Sequence, residues 1–317
     1  MFPQPSLKNI PLSSIKTTPN WNLHPFLDDT PSLSLKQSFA ESGILHPPIV
    51  QAAEDGTFDL ICGRKRLYAL KHHCQQNSSP CLILPPTLTP SAVFLYVLTD
   101  QQLNGPLSPI ETAFFLKCCL NKMTEQEVND YFLPRLGHGG HKNQTSILHQ
   151  LISLTTLDNK TQQLVHQGLI VDKIAFEFLS LSAEDRLTLS SLFELLQPGT
   201  GKQKRILTLS RELAFRSRST ISLLLGEPEF KQILGHTEMN LPQKTHFLLD
   251  LLQKKSYPRS SDAEQIFKDR VRRLNLPAHY ELTHSLNFEK DEVFLTITFP
   301  DLEKCEQVWL RKKDLYE

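Results

Sequence analysis

Phe58-Asp59-Leu60-Ile61-Cys62-Gly63-Arg64-Lys65-Arg66-Leu67-Tyr68-Ala69-Leu70-Lys71-His72-His73 is the stretch whose reading decides the fold. Its first five residues predict a strand that stops at Gly63. Beyond the glycine, Leu67, Ala69 and Leu70 recur at helical spacing and predict a helix over 64–73. A strand, a glycine turn and a helix start make a common anion-binding junction. The first N–H groups of a helix lack intrahelical partners, and the helix dipole favours negative charge there. Gly63, Arg64, Lys65 and Arg66 are therefore candidate phosphate ligands. Taken alone, the same residues also describe a plain glycine turn with solvated cations.

Working outward, Leu33 to Ser42 reads as a helix, Pro47-Pro48-Ile49-Val50 opens an extended run, and Asp55-Gly56 reads as a hairpin turn. Downstream, Pro85-Pro86 closes the unit, Pro90 to Asp100 is helical, and a break at Pro106 to Pro109 precedes a helix over Ile110 to Asn121. Thr124-Glu125-Gln126-Glu127 has the form of a capping box. A Gly-rich turn, Gly137 to Gly140, follows. Then comes a helix over Asn143 to Leu154, with Ile147, Leu148, Leu151 and Ile152 at core spacing and Lys142, Gln144, Thr145, His149 and Gln150 outward. Helix, turn and polar-faced helix is the helix-turn-helix arrangement. Lys142, Asn143, Gln144, Thr145 and His149 are the candidate base and phosphate contacts, and a plain solvated helix face is the bland alternative.

Further helical patterns run over 161–167, 172–181, 183–196, 202–213 and 217–225. Pro258 to Asp262 reads as a linker to a helix, two strands near 280–288 and 293–299, and a last helix to Tyr316. The expected fold class is α+β. A small mixed domain spans residues 1–105, an all-α domain spans 106–257, and an αββα module that could dimerise spans 258–317.

Lys plus Arg equals Asp plus Glu at 34 each, so any nucleic-acid surface must be local. Between Gly201 and Thr220, six cations (Lys202, Lys204, Arg205, Arg211, Arg216 and Arg218) face Glu212 alone. Lys202, Lys204 and Arg205 are added as DNA-contact candidates. Gly199-Thr200-Gly201-Lys202 is not a P-loop, since Leu196 stands at the required first glycine and Gln203 replaces Ser or Thr. His138 and His141 lack the further ligands of a tetrahedral metal set. Six cysteines without a CxxC pair suit a reducing cytoplasm, and no apolar run approaches the roughly 20 residues of a membrane span.

Four consecutive places resemble the ParB family. They are Ile10-Pro11-Leu12-Ser13-Ser14-Ile15, Leu35-Lys36-Gln37-Ser38, Gly43-Ile44-Leu45-His46-Pro47-Pro48-Ile49-Val50, and Gly63-Arg64-Lys65-Arg66-Leu67-Tyr68-Ala69. The last keeps the Gly, second Arg and Ala of the family's G-E-R-R-x-x-A box. Leu107-Ser108-Pro109-Ile110-Glu111-Thr112-Ala113 and Gln167-Gly168-Leu169-Ile170 extend the resemblance to about residue 185. The resemblance implies a sulfiredoxin-like N-terminal fold that binds and slowly hydrolyses CTP with magnesium. It also implies a homodimeric, nucleoid-associated DNA clamp, a helix-turn-helix loaded at a specific DNA site, and a ParA-like ATPase partner. It places nucleotide at Gly63, Arg64, Lys65, Arg66 and Gln101, with Asp100 as catalytic carboxylate and magnesium ligand.

The departures bear on that transfer. Arg64 stands where the family has Glu, and Asp100-Gln101-Gln102-Leu103-Asn104 replaces the E-N-x-Q-R box. The first nucleotide motif aligns near Asn22 to Phe26, without a cation. Two other readings stay open. One is a degenerate adaptor or regulator that has lost nucleotide turnover. The other is a sulfiredoxin-like enzyme, which lacks its nucleophile because Cys62 precedes Gly63 and Arg64 follows it.

Overall fold

The computed structural model describes residues 5–17, 21, 26, 30–103, 105–138, 144–285 and 292–313. Its chain divides into two units, Met1–Gln203 and Lys204–Glu317. The first opens with β1 (Ser6–Pro11), β2 (Ile15–Lys16), α1 (Leu33–Ser42), β3 (Ile49–Ala52), β4 (Phe58–Cys62), α2 (Arg64–His72) and β5 (Ser78–Leu84). The strands form one mixed sheet in the order β1-β5-β3-β4-β2. Asp55-Gly56 closes the antiparallel β3–β4 hairpin as expected, with the Ala53 N–H donating to the Thr57 carbonyl at 2.9 Å. β5 runs parallel to β3 and antiparallel to β1.

Side-chain alternation gives the sheet two covered faces. Val50, Leu60 and Cys81 pack with Leu67 and Leu70 of α2, and Phe39 of α1 lies against them. Ile49, Ile61 and Leu84 join a second cluster with Val93, Phe94 and Val97 of α3 (Pro90–Gln102). That cluster continues through α4 (Pro109–Leu120), α5 (Glu125–Tyr131) and α6 (Gln144–Ser153), taking in Phe115, Val128, Phe132, Leu148 and Leu151. Phe115 meets Phe94 and Phe132 edge-to-face at 5.9 and 5.1 Å. Such pairs add about 0.5–1.5 kcal/mol each beyond the area they bury. Sheet, α3 and α6 thus share one apolar core.

α7 (Asn159–His166), α8 (Asp172–Phe178) and α9 (Ala183–Leu196) complete the first unit, and α10 (Thr200–Arg216) crosses the division. The second unit continues with α11 (Ile221–Leu225), α12 (Pro228–Gly235), α13 (Leu241–Ser256), α14 (Pro258–Leu274), β6 (Tyr280–His284), β7 (Val293–Ile297) and α15 (Leu302–Lys313). β6 and β7 pair antiparallel, and Phe267 meets His284 edge-to-face at 4.8 Å beneath them. The α+β class and the αββα order at the C-terminus agree with the sequence reading. No helix among the described residues is long and apolar enough to cross a membrane.

Two expected boundaries move. Pro258 to Asp262 is the first turn of α14 rather than a linker, because proline at the first helical position needs no N–H partner and has a helical φ. The helix expected from Ser217 starts only at Ile221. Arg218 turns the chain at φ +52°, and the Thr220 hydroxyl accepts from the Leu223 N–H at 3.2 Å as the cap.

Candidate functional site

The β4–α2 junction is fixed by Gly63, which adopts φ +95° and caps α2 without a side-chain hydrogen bond. A Cβ there would lie 3.1 Å from the Pro48 Cα and 3.2 Å from the Arg66 Nε, so the position requires glycine for conformation and for space. Arg64, the first residue of α2, reaches back so that its Nη1 donates to the Thr17 carbonyl at 3.5 Å. Lys65 is exposed beside it.

Arg66 turns inward. Its Nη2 donates to both Asp100 oxygens at 2.8 Å each, and its Nη1 donates to the carbonyls of His46 at 2.9 Å and Pro47 at 3.4 Å. Both charged side chains are 16% exposed. Removing one partner of a pair this well covered leaves the other charge stranded. The cost is about 2–4 kcal/mol once residual solvent access is allowed for. Arg66 therefore ties three pieces together: the start of α2, the segment leading into β3, and the last turn of α3. Gln101 follows Asp100 on α3 and is half-buried. Cys62, buried at the end of β4, has its thiol held well above the ordinary range by burial, with a smaller push from the Asp100 charge. It is not an activated nucleophile.

The residues expected to meet a magnesium nucleotide thus divide. Gly63, Arg64 and Lys65 stand together at the α2 start, where phosphate oxygens could be met. Asp100 does not fit a magnesium site well, because its single negative charge is already neutralised by Arg66. Among the described residues no group of three or more His, Cys, Asp or Glu converges as a metal site. No hydrolytic step follows from this arrangement. The first nucleotide motif, apart from Phe26, lies outside the described residues.

The second candidate surface is α6. Leu148 is fully buried beneath it and Leu151 nearly so, while Thr145, Ser146, His149 and Gln150 are exposed. Thr124 and Glu127 form the capping box that starts α5, as the sequence predicts. Two contacts stitch α5 to α6. The Asn129 Nδ2 donates to the Thr145 Oγ1 at 3.1 Å, and the His149 Nε2 lies 3.1 Å from a Glu125 carboxylate oxygen. Sequence reasoning placed Thr145 and His149 facing outward without these partners. Asn129 and Glu125 were recognisable only as members of a short helix. Residues 132–143 join the two helices, longer than the three or four residues of the common turn. Lys142 and Asn143 lie outside the described residues, as does the side chain of Gln144.

Along α10, Lys202, Lys204 and Arg205 are exposed, and the Arg205 Nη2 donates to the Gln253 Oε1 at 3.1 Å. Gln203 turns inward, donating to the carbonyls of Leu169 and Pro198 at 2.8 and 2.9 Å and accepting from the Val171 N–H at 3.2 Å. The residue that broke the P-loop pattern is thus a structural anchor.

A family model described as the ParB N-terminal domain matches residues 2–89. A search of curated proteins finds no match. Two solved structures of C-terminally truncated chromosome-partitioning protein ParB from Caulobacter crescentus are similar to the chain. One, complexed with CTP-gamma-S, is 18% identical, covers 59% of this chain and 98% of its own, and has a TM-score of 0.26. The other, complexed to the centromeric parS site, is 16% identical, covers 59% and 91%, and has a TM-score of 0.35. The family-model match covers the sheet, α1 and α2, including the Gly63 junction. Residues 2–89 thus match the ParB N-terminal domain.

Proposed function

We propose that the protein is a ParB-like DNA-binding protein acting in DNA partition or its regulation, and that α6 is the helix it presents to a duplex. The observation that carries this reading is the contrast across α6. Its underside is locked into the core shared with the sheet, while Thr145, Ser146, His149 and Gln150 form an exposed polar edge. A rigid helix with a hydrogen-bonding face suits major-groove reading, where hydroxyl and amide groups meet base edges. Lys142, Asn143 and Gln144 at its start complete the contact set. Lys202, Lys204 and Arg205 are assigned to phosphates, where contacts add affinity without sequence information.

In this reading residues 1–105 carry the nucleotide-site module, 106–257 the DNA contacts and 258–317 a homodimer contact. The half-exposed Val293, Phe294 and Leu295 of β7 support the last of these. A CTP site is a secondary part of the proposal. Its phosphates would meet Gly63, Arg64 and Lys65, with Gln101 nearby, and magnesium at Asp100 is not part of it. The engagement of Asp100 by Arg66 favours one alternative, a regulator without nucleotide turnover. A ParA-like ATPase partner follows from the family alone.

The test is duplex binding by fluorescence anisotropy against salt, followed by selection from random duplexes. A protein that neutralises six or more phosphates loses about a thousandfold in affinity between roughly 50 and 200 mM salt. Lys202→Ala or Lys204→Ala should lower the salt slope by about 1 without changing the selected sequence. Thr145→Ala with His149→Ala should change or relax the selected sequence. Salt-independent or undetectable duplex binding would sink the proposal.

A further inference from the structure

The Arg66–Asp100 pair departs from the metal chemistry expected of its domain, and we infer that it replaces that chemistry. The guanidinium occupies the role a divalent cation would otherwise take at Asp100, holding α3 against the α2 start without a metal. The inference does not depend on whether the chain binds DNA.

Three observations lead to it. Both Asp100 oxygens accept from the same Arg66 nitrogen at 2.8 Å, and both side chains are largely covered. The other nitrogen of the fork is held by the His46 and Pro47 carbonyls, so the guanidinium is fixed from two sides and is not a loose surface cation. Finally, each charge sits at the end of its helix where the dipole opposes it. Arg66 is the third residue of α2, at the positive end, and Asp100 lies in the last turn of α3, at the negative end. Neither position is favourable for that charge by itself, and each becomes favourable through the other. A magnesium ion at Asp100 would have to share one carboxylate with the Arg66 guanidinium, bringing two cations against a single negative charge. Magnesium also dehydrates reluctantly and asks for several oxygen ligands. The neighbouring Cys62 is buried and offers no thiolate for a softer metal.

The experiment uses the full chain and two readouts, thermal melting and titration calorimetry. MgCl2, CTP and their mixture serve as titrants, and EDTA as the metal-free control. A magnesium nucleotide held at about a hundredfold over its Kd would raise the Tm of a unit this size by about 5–10 °C. The expected result is no magnesium-dependent heat and no magnesium-dependent Tm shift, with any CTP binding identical in EDTA. Arg66→Met should lower the Tm markedly, and Arg66→Met combined with Asp100→Leu should recover much of the loss, because an apolar pair replaces a covered ion pair without a stranded charge. Should the double variant fail to fold, Asp100→Asn keeps the question open to refutation, since it preserves shape and removes the metal-binding charge. A magnesium-dependent Tm shift or heat in the wild type that disappears in Asp100→Asn overturns the inference.

Discussion

Replacing Gly63 by alanine tests whether the β4–α2 junction is set jointly by backbone conformation and by close packing. At φ +95° and ψ 31° an L-residue costs about 1–2 kcal/mol, because its Cβ crowds the following carbonyl. The added Cβ would also stand 3.1 Å from the Pro48 Cα, a backbone atom with no rotamer to escape into, and 3.2 Å from the Arg66 Nε. Relieving that crowding means shifting the strand leading into β3 or disturbing the guanidinium fork, at about 1–3 kcal/mol by analogy with overpacked cores. Gly56 supplies the control. It also has a positive φ, +79°, but a Cβ there meets nothing within 4 Å, so Gly56→Ala carries only the conformational cost. For a unit of about 200 residues each kcal/mol moves the Tm by about 2–4 °C. Gly63→Ala should therefore melt roughly 4–20 °C below wild type, and below Gly56→Ala by about 2–12 °C. Scanning calorimetry of the full chain measures both. Equal shifts for the two variants would refute the packing argument, and a wild-type Tm for Gly63→Ala would refute both parts.

Two further predictions concern titrating groups. Native-state labelling with a chromogenic disulfide should modify exposed Cys74 first. Cys62 and Cys119, whose thiols burial holds well above the ordinary range, should react only on unfolding, and rapid modification of Cys62 found by mass mapping would contradict the junction geometry. Asp55, whose carboxylate accepts from Lys16 at 2.5 Å and from the Thr57 hydroxyl and N–H, is held well below the ordinary carboxylate range by those bonds. A depressed folded-state value stabilises the protein above the unfolded pKa, about 3.9, and the benefit fades as pH falls below it. The Tm gap between wild type and Asp55→Asn should therefore be full at pH 7 and narrow progressively below about pH 4. A gap that stays constant from pH 7 to pH 3 would contradict this.

The parts of the fold that were legible from sequence are those whose signal is local. The β4–α2 junction, the Asp55-Gly56 hairpin and the capped start of α5 each follow from a glycine, a turn pair or a capping box beside a periodic apolar run. β5 was not legible, because Ser78-Ser79-Pro80 reads as a break and proline argues against an inner strand. The pairing explains its tolerance. β5 contacts β3 only through Leu82, Ile83 and Leu84, so at Pro80 it has β1 as its single neighbour and behaves there as an edge. α12 and α13 were also missed. The proline near the start of each reads as a break but serves as an entry, and on α13 the Asn240 and Gln243 capping box reinforces it.

The site divides on the same line. Sequence puts Gly63, Arg64 and Lys65 at the α2 start, but it gives no sign that Arg66 and Asp100 pair with each other, because they lie 34 positions apart. One local clue was present in both, a cation at a helix start and a carboxylate at a helix end, each opposed by its own dipole. Charges so placed need an opposite charge brought by the fold, and the sheet supplies it by setting the α2 start against the last turn of α3. The consequence extends beyond the pair. α3 carries Asp100 in its last turn and Phe94 in its first half, and Phe94 packs on Phe115 and Phe132 in the core that also seats α6. Whatever holds Asp100 therefore also bears on the scaffold of the proposed DNA-reading helix. In this chain that hold is an ion pair between two of its own side chains rather than a metal.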